Sequence, residues 1–265
     1  MRALKSYLFK DFMDSPRQTG RVHSLFEHAA NFVFGGAMLT VLDNPDAEIP
    51  DSIVLERRDF ARLRAAVEAG DAATLEGGAL SAGGICADFS GAPNFENFFA
   101  PNAAAPKHET ARRLEGFAFY HVLPAPAEEA LKLAAQAAAR GDAQVAADCA
   151  AKVVGLGEGL TPSADDAIIG AAAALAFLEA CGKPRAAGFA RLVFEAAKGR
   201  TTDASLKYLS CAAQGRFALP LVRTVESFMA EGAEIDYRAV SILLAAGHSS
   251  GRDTLRGVKI FAEIL

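Results

Sequence analysis

The sequence predicts an α+β protein, with a small, mainly β N-terminal domain over residues 1–123 and an α-helical C-terminal domain over residues 124–265. Two observations predict it. Upstream of residue 124, short apolar runs alternate with Gly, Pro and Asn turn signals, as in strands joined by tight bends. Downstream, alanine-rich segments of helical length follow one another with short joints, as in a helical bundle or array. Of the 265 residues, 51% are hydrophobic and 22% charged, a ratio that supports a proper core. Single cores stop growing near roughly 250–300 residues, so the length allows one large domain or two smaller ones, and the change of pattern points to two.

In chain order, Asn31 to Leu42 (NFVFGGAMLTVL) reads as a strand or strand pair bent at Gly35-Gly36. Asn44-Pro45-Asp46 marks a turn. Asp51 to Glu56 (DSIVLE) is a further strand and Asp59 to Ala69 a short helix. A Gly-rich stretch from Gly77 to Gly84 leads into Ile85 to Phe89 and reads as a turn rather than a phosphate cradle. Gly91 to Lys107 carries three prolines and no period, which predicts a loop. Leu114 to Leu123 (LEGFAFYHVL) returns to strand alternation.

From Pro124 the chain turns helical. Pro126 followed by Glu128 and Glu129 opens a helix to about Arg140, with proline early and acids in the first turn. A second helix follows Gly141-Asp142 and runs to Val154. The remaining segments are Ser163 to Ala180, Pro184 to Lys198, Asp203 to Ala213, Leu219 to Ala230, Asp236 to Ala246 and Ser250 to Leu265. Alanine and glycine dominate Gly170 to Ala176, which predicts a close neighbour and a central helix buried all round.

Charge and composition exclude several classes. Lys+Arg total 27 against 32 Asp+Glu, a net charge of -5, so the chain lacks the basic footprint of a nucleic-acid binder. No run reaches the roughly 18 apolar residues of a membrane span, and Met1 to Asp11 lack a signal peptide's apolar stretch. The cysteines (Cys86, Cys149, Cys181, Cys211) form no CxxC pair and read as reduced structural thiols of a cytoplasmic protein. The expected partners thus exclude nucleic acid and membrane.

Three helix starts carry an unusual density of hydroxyls and acids. The first is Gly155-Leu156-Gly157-Glu158-Gly159-Leu160-Thr161-Pro162-Ser163-Ala164-Asp165-Asp166. Its alternating glycines allow positive φ or close approach to a ligand. Thr161 or Ser163 is a natural N-cap, and the acids suit the helix dipole. Capping needs one hydroxyl and one acid, whereas this stretch supplies more of each. No Gly-Lys-Ser/Thr follows, so it is not a nucleotide P-loop. The second start, Gly247-His248-Ser249-Ser250-Gly251-Arg252-Asp253-Thr254, presents a histidine and two serines at a glycine turn. His248 reads as a general acid/base, an anion donor or a metal ligand, against the plainer reading of a structural hydrogen-bonder. The third, Gly199-Arg200-Thr201-Thr202-Asp203-Ala204-Ser205, taken alone reads as a Thr202 cap.

Together, three donor-rich helix N-termini in one helical domain predict a shared pocket for a small anion, a carboxylate or phosphate, with Arg200 or Arg252 adding charge. Asp165, Asp166 and Asp253 would repel such an anion unless they bind Mg²⁺ or accept N–H groups. Their spacing fits no known oxygen cage, so no metal ligand is assigned and Mg²⁺ is the one cofactor left open. His23, Glu27, His28 and Asn31 fall at helical spacing and read chiefly as a polar helix face. His108 and His121 form no pattern, and no GxSxG elbow supports a serine hydrolase.

On the GLGEGLTPSADD stretch, the Thr201-Thr202…Ser205 start and the AAGHSSGRDTLRG stretch, the chain resembles the AllH/YlbF-like bacterial family, long catalogued as a domain of unknown function. Two positions depart from the family's pattern: Ala164 stands where glycine is expected, and Arg252 where a smaller residue is usual. The resemblance implies one component of a three-part oxamate carbamoyltransferase of allantoin nitrogen catabolism, which takes oxalurate and phosphate to oxamate and carbamoyl phosphate. It therefore implies partner protein subunits.

On that reading, backbone N–H groups near Gly157, Gly159, Thr161 and Ser163, and near Ser249, Ser250 and Gly251, hold the oxyanions, with Arg200, Thr201, Thr202, Ser205 and Asp253 completing the substrate site. His248 transfers the proton, and Asp165 or Asp166 orients it or a Mg²⁺. Preorganised donors of this kind stabilise charge developing in acyl or phosphoryl transfer. The alternatives are a non-catalytic anion-binding or scaffolding subunit, and a stand-alone Mg²⁺-dependent phosphate-handling enzyme.

Overall fold

The computed structural model describes residues 3–6, 16–95, 97–100, 114 and 122–264. They form two compact units, residues 1–97 and 98–265. The class is α+β, as the sequence predicts.

The first unit is built on a nine-stranded sheet in the order β8-β7-β6-β2-β3-β4-β5-β1-β9. The strands are β1 (Ala3–Ser6), β2 (Gln18–Leu25), β3 (Ala29–Phe34), β4 (Ala37–Leu42), β5 (Ser52–Leu55), β6 (Ala72–Glu76), β7 (Ala79–Ala82), β8 (Ile85–Asp88) and β9 (Asn94–Phe95). The strand pair predicted around Gly35-Gly36 is the β3–β4 hairpin. Both glycines have positive φ (56° and 87°), which two-residue hairpin turns require and other residues resist. The same device at Gly77-Gly78 and Gly83-Gly84 folds β6, β7 and β8 into a meander, so the Gly-rich stretch is a pair of turns. One α-helix, the only one among the described residues of this unit, α1 (Arg57–Ala66), buries Phe60 and Leu63 in a core that includes Phe32, Phe34, Leu39 and Ile53.

One expectation fails here. His23, Glu27, His28 and Asn31 do not share a helix: His23 lies on β2, Asn31 on β3, and Glu27 and His28 in the turn between them. A register shift between Val22 and Ser24 gives the hairpin a spacing that imitates a helical period. Asn31 is tied across strands instead, its Nδ2 donating to Ser24 Oγ (3.0 Å) and its Oδ1 accepting from Thr40 Oγ1 (2.8 Å). Such a buried ladder satisfies every polar atom it encloses. The strand expected over Leu114 to Leu123 lies largely outside the described residues, as does most of the loop expected up to Lys107.

The second unit contains α2 (Ala125–Ala139), α3 (Ala143–Ala151), α4 (Ser163–Ala180), α5 (Phe189–Ala197), α6 (Asp203–Ala213), α7 (Leu219–Met229), α8 (Tyr237–Leu244) and α9 (Ser250–Ile264). Each matches a predicted helix to within a few residues. Asp142, Thr202 and Asp236 cap α3, α6 and α8 through their side chains. Helix α4 is buried continuously from Ala164 to Leu175, so its small side chains are explained by what packs on it. A Cβ on Gly170 would lie 1.9 Å from the Thr254 carbonyl oxygen, and one on Gly257 would lie 1.8 Å from that of Ala167. Backbone thus meets backbone where α4 and α9 cross, and glycine is the only residue that fits at either point. That crossing sets the start of α9 beside the start of α4.

Among the described residues, no helix is long and apolar enough to cross a membrane.

Candidate functional site

The three helix starts converge. Thr161 Oγ1, just before α4, lies 2.8 Å from Ser250 Oγ at the start of α9. Asp165, in the first turn of α4, is fully buried. Its Oδ1 accepts from the Gly155 N–H (2.8 Å), and its Oδ2 accepts from Ser205 Oγ (2.6 Å) and from Thr201 Oγ1. Thr202 Oγ1 accepts from the Ser205 N–H (3.1 Å) and donates to the Leu160 carbonyl. One buried carboxylate therefore ties the glycine turn to the start of α6, and the hydroxyl pair ties the same turn to α9.

The adjacent acid has a different environment. Asp166 is 5% exposed, and its Oδ2 is buried without a hydrogen-bond partner. Burial pushes its carboxyl up to about 7. The Ser250 and Thr161 hydroxyls pull the other way, while the charges of Asp253 and Asp165 add to the rise. Asp253 itself is fully buried on α9. Tyr208 on α6 is near enough to feel Asp166, and burial raises its phenol above the usual range. Two neighbouring aspartates thus have opposite characters: Asp165 is saturated with donors, and Asp166 is close to half-neutral at neutral pH.

The backbone donors are distributed unlike the sequence reading. Neither Thr161 nor Ser163 caps α4 with its side chain, and Pro162 holds the N-cap position. The hydroxyl of Thr161 is engaged by Ser250. The Ala164 N–H donates to the Leu156 carbonyl (3.0 Å), and those of Asp165 and Asp166 to Pro162 (2.9 and 3.1 Å). On α9, Gly251 N–H donates to Ala246, and Arg252 and Asp253 N–H to Ser249. Gly251 is needed for packing, since a Cβ there would meet the Leu243 oxygen at 1.6 Å. The N–H groups of Gly157, Glu158, Gly159, Gly247 and His248 form no hydrogen bond within the described residues. Open donors therefore lie in the turns, four to six positions before α4 and two or three before α9.

His248 is exposed on the second turn, with no side-chain hydrogen bond among the described residues. Ser163, Ser249 and Ser250 are half-buried. Arg200 and Arg252 are exposed, and Arg200 Nη1 reaches back to the Ala196 carbonyl at 3.5 Å. Among the described residues, no group of three or more His, Cys, Asp or Glu side chains is arranged to hold a metal ion. Two depressions, of about 410 and 310 Å³, are lined by no residue of the helix starts. Tyr208 is the neighbour that sequence reasoning missed. Its only signal is its place one turn beyond Ser205, on a helix whose start had been read as plain capping.

Comparison with known families follows the same division of the chain. The pattern described as the AllH family N-terminal domain matches residues 2–94, and that described as oxamate carbamoyltransferase subunit AllH matches residues 153–262. The chain belongs to the AllH family. The second AllH match contains all three helix starts, from Gly155 to Thr254, so the converging residues lie inside the segment that bears the enzyme's name. The first AllH match spans the strands of the N-terminal sheet. A family of subunits implies partner chains for its members. No solved structure matches the chain.

Proposed function

We propose that this chain is the component of an oxamate carbamoyltransferase-type complex, in allantoin and purine nitrogen catabolism, that holds a small anionic substrate such as oxalurate, phosphate or carbamoyl phosphate. The binding face is formed by the turns at Gly155–Thr161 and Gly247–Ser250. The observation that carries this reading is the Thr161–Ser250 hydroxyl pair beside Asp166. An anion is repelled by three ionised aspartates, but both Asp165 oxygens are turned to three protein donors and Asp166 carries a proton for much of the time near neutral pH. A protonated carboxyl donates a hydrogen bond instead of repelling charge. The unengaged N–H groups of Gly157, Gly159 and Gly247 supply oxyanion donors from both turns.

His248, exposed beside these donors, is the proton-transfer group. Asp165 serves by positioning: it fixes the turn that carries the donors, Thr201 and Ser205 act through it, and Thr202 holds the same turn at the Leu160 carbonyl. The test is turnover of oxalurate and phosphate by the reconstituted complex. His248→Ala should abolish turnover while leaving the thermal midpoint unchanged, and full activity in that variant rules out the role.

A second reading, a non-catalytic anion-binding subunit, is favoured by the lack of any side chain orienting His248. On that reading the His248→Ala variant keeps turnover, while Ser250→Ala loses substrate affinity in the isolated chain.

A further inference from the structure

The N-terminal unit holds a cavity of about 410 Å³ that has no part in the site above. Its polar lining is Glu27, His28, Asp43, Arg57 and Arg64, and its floor includes the buried ring of Phe60. The volume falls in the range of small-ligand sites, which are largely apolar with a few convergent polar groups.

The polar groups are arranged in two layers. Asp43, with a side chain only 6% exposed, forms the inner one. Its Oδ2 lies 3.1 Å from His28 Nδ1 and 3.7 Å from Arg57 Nε. A carboxylate accepts, so the ring donates from Nδ1 and presents Nε2 away from Asp43. Arg57 uses only Nε in this contact, and its side chain is 81% exposed. Arg64 donates Nε to the Phe26 carbonyl at 3.2 Å, again leaving the ends of the guanidinium unused. Three nitrogen-bearing heads, each fixed at its inner atom, thus keep their outer atoms for something else. The carboxylate of Glu27, 87% exposed, stands 3.5 Å from His28 Nε2.

We propose that this cavity binds a small oxyanion, a carboxylate or a phosphate, gripped by Arg57 and Arg64 and by His28, whose ring donates from Nε2 only when doubly protonated, with Asp43 accepting from Nδ1. Guanidinium forks suit both anions because their paired donors match two oxygens at once. The apolar floor at Phe60 takes a short carbon chain, so the ligand is a small organic acid or its phosphorylated counterpart. Glu27 swings aside when the ligand enters. The site lies wholly within the N-terminal unit and does not depend on the reading of the helix starts.

Isothermal titration of the full chain tests it, with inorganic phosphate in one arm and propionate in the other. At least one anion should bind at a site that Ser250→Ala leaves intact, and the arm that gives that heat identifies the source. Arg57→Ala and Arg57→Glu should each weaken that binding by about tenfold or more, the loss expected when one charge-assisted pair is removed. Arg57 is mostly exposed, so neither variant disturbs the core. Ser250→Ala should leave this binding unchanged. Wild-type affinity in both Arg57 variants overturns the proposal, as does the absence of heat from either anion. Binding lost in Ser250→Ala and kept in Arg57→Ala also overturns it, and assigns the anion to the helix starts.

Discussion

The hydroxyls of Thr161 and Ser250, 89 positions apart in sequence, meet at 2.8 Å. Either oxygen is able to donate, and both stand beside the Asp166 carboxyl. The contact binds the glycine turn before α4 to the turn before α9. A neutral hydrogen bond of this kind contributes about 1 kcal/mol net. Thr161→Ala and Ser250→Ala should therefore be less than additive, with a coupling of about 0.5–1.5 kcal/mol in a double-mutant cycle read by urea denaturation. Strict additivity would mean that the two hydroxyls act separately.

Asp165 holds more. Its carboxylate satisfies a backbone N–H and two hydroxyls from outside its own helix. Replacing it with alanine leaves the buried Ser205 hydroxyl and two part-buried donors without their acceptor, so Asp165→Ala should cost roughly 2–5 kcal/mol of stability. Asp165→Asn keeps one acceptor oxygen and should lose less. Equal stability of the alanine variant and the parent would remove Asp165 from its positioning role.

The two aspartates also show where the sequence ceases to be informative. The segments of all eight C-terminal helices are legible from alanine-rich runs, caps and glycine stops, because those signals are local. The convergence of three helix starts is legible too, since hydroxyls and acids in excess of capping need call for a shared environment. Which of two adjacent acids is saturated and which is strained is not, because the donors to Asp165 come from Gly155, Thr201 and Ser205 and depend on packing. The hairpin carrying His23 and Asn31 was misread for the same reason. Its polar residues satisfy a helical period, and only pairing of β2 with β3 and β4 decides between the two structures.

Glycine substitutions separate packing from backbone conformation. Gly170 sits at the α4–α9 crossing, where a methyl group would overlap the Thr254 carbonyl. Gly170→Ala should destabilise by about 3 kcal/mol or more, the upper range for overpacking, because the obstacle is backbone. Gly159 has φ of 91° and open space around its Cβ position. Gly159→Ala should cost only about 1–2 kcal/mol, the penalty for a left-handed conformation. Thermal midpoints of the two variants check the order, and reversal would contradict the close crossing.

Asp166 gives the chain a specific pH dependence. Its folded carboxyl titrates near 7, against 3.8 for the ordinary group. The native state therefore binds this proton more tightly than the unfolded state. Stability from this group is greatest below pH 3.8 and falls as pH rises between 3.8 and about 7; above that both states are ionised and no more is lost. Three units correspond to about 4 kcal/mol at most, at about 1.4 kcal/mol per unit. Asp166→Asn abolishes the titration while keeping the shape. The difference in unfolding free energy between variant and parent should change by about 2–3 kcal/mol from pH 5 to pH 8, with the variant gaining relative to the parent. Urea midpoints at those two pH values provide the measurement. Parallel curves would mean that Asp166 is ionised throughout, and an anion at the turns would then face its charge.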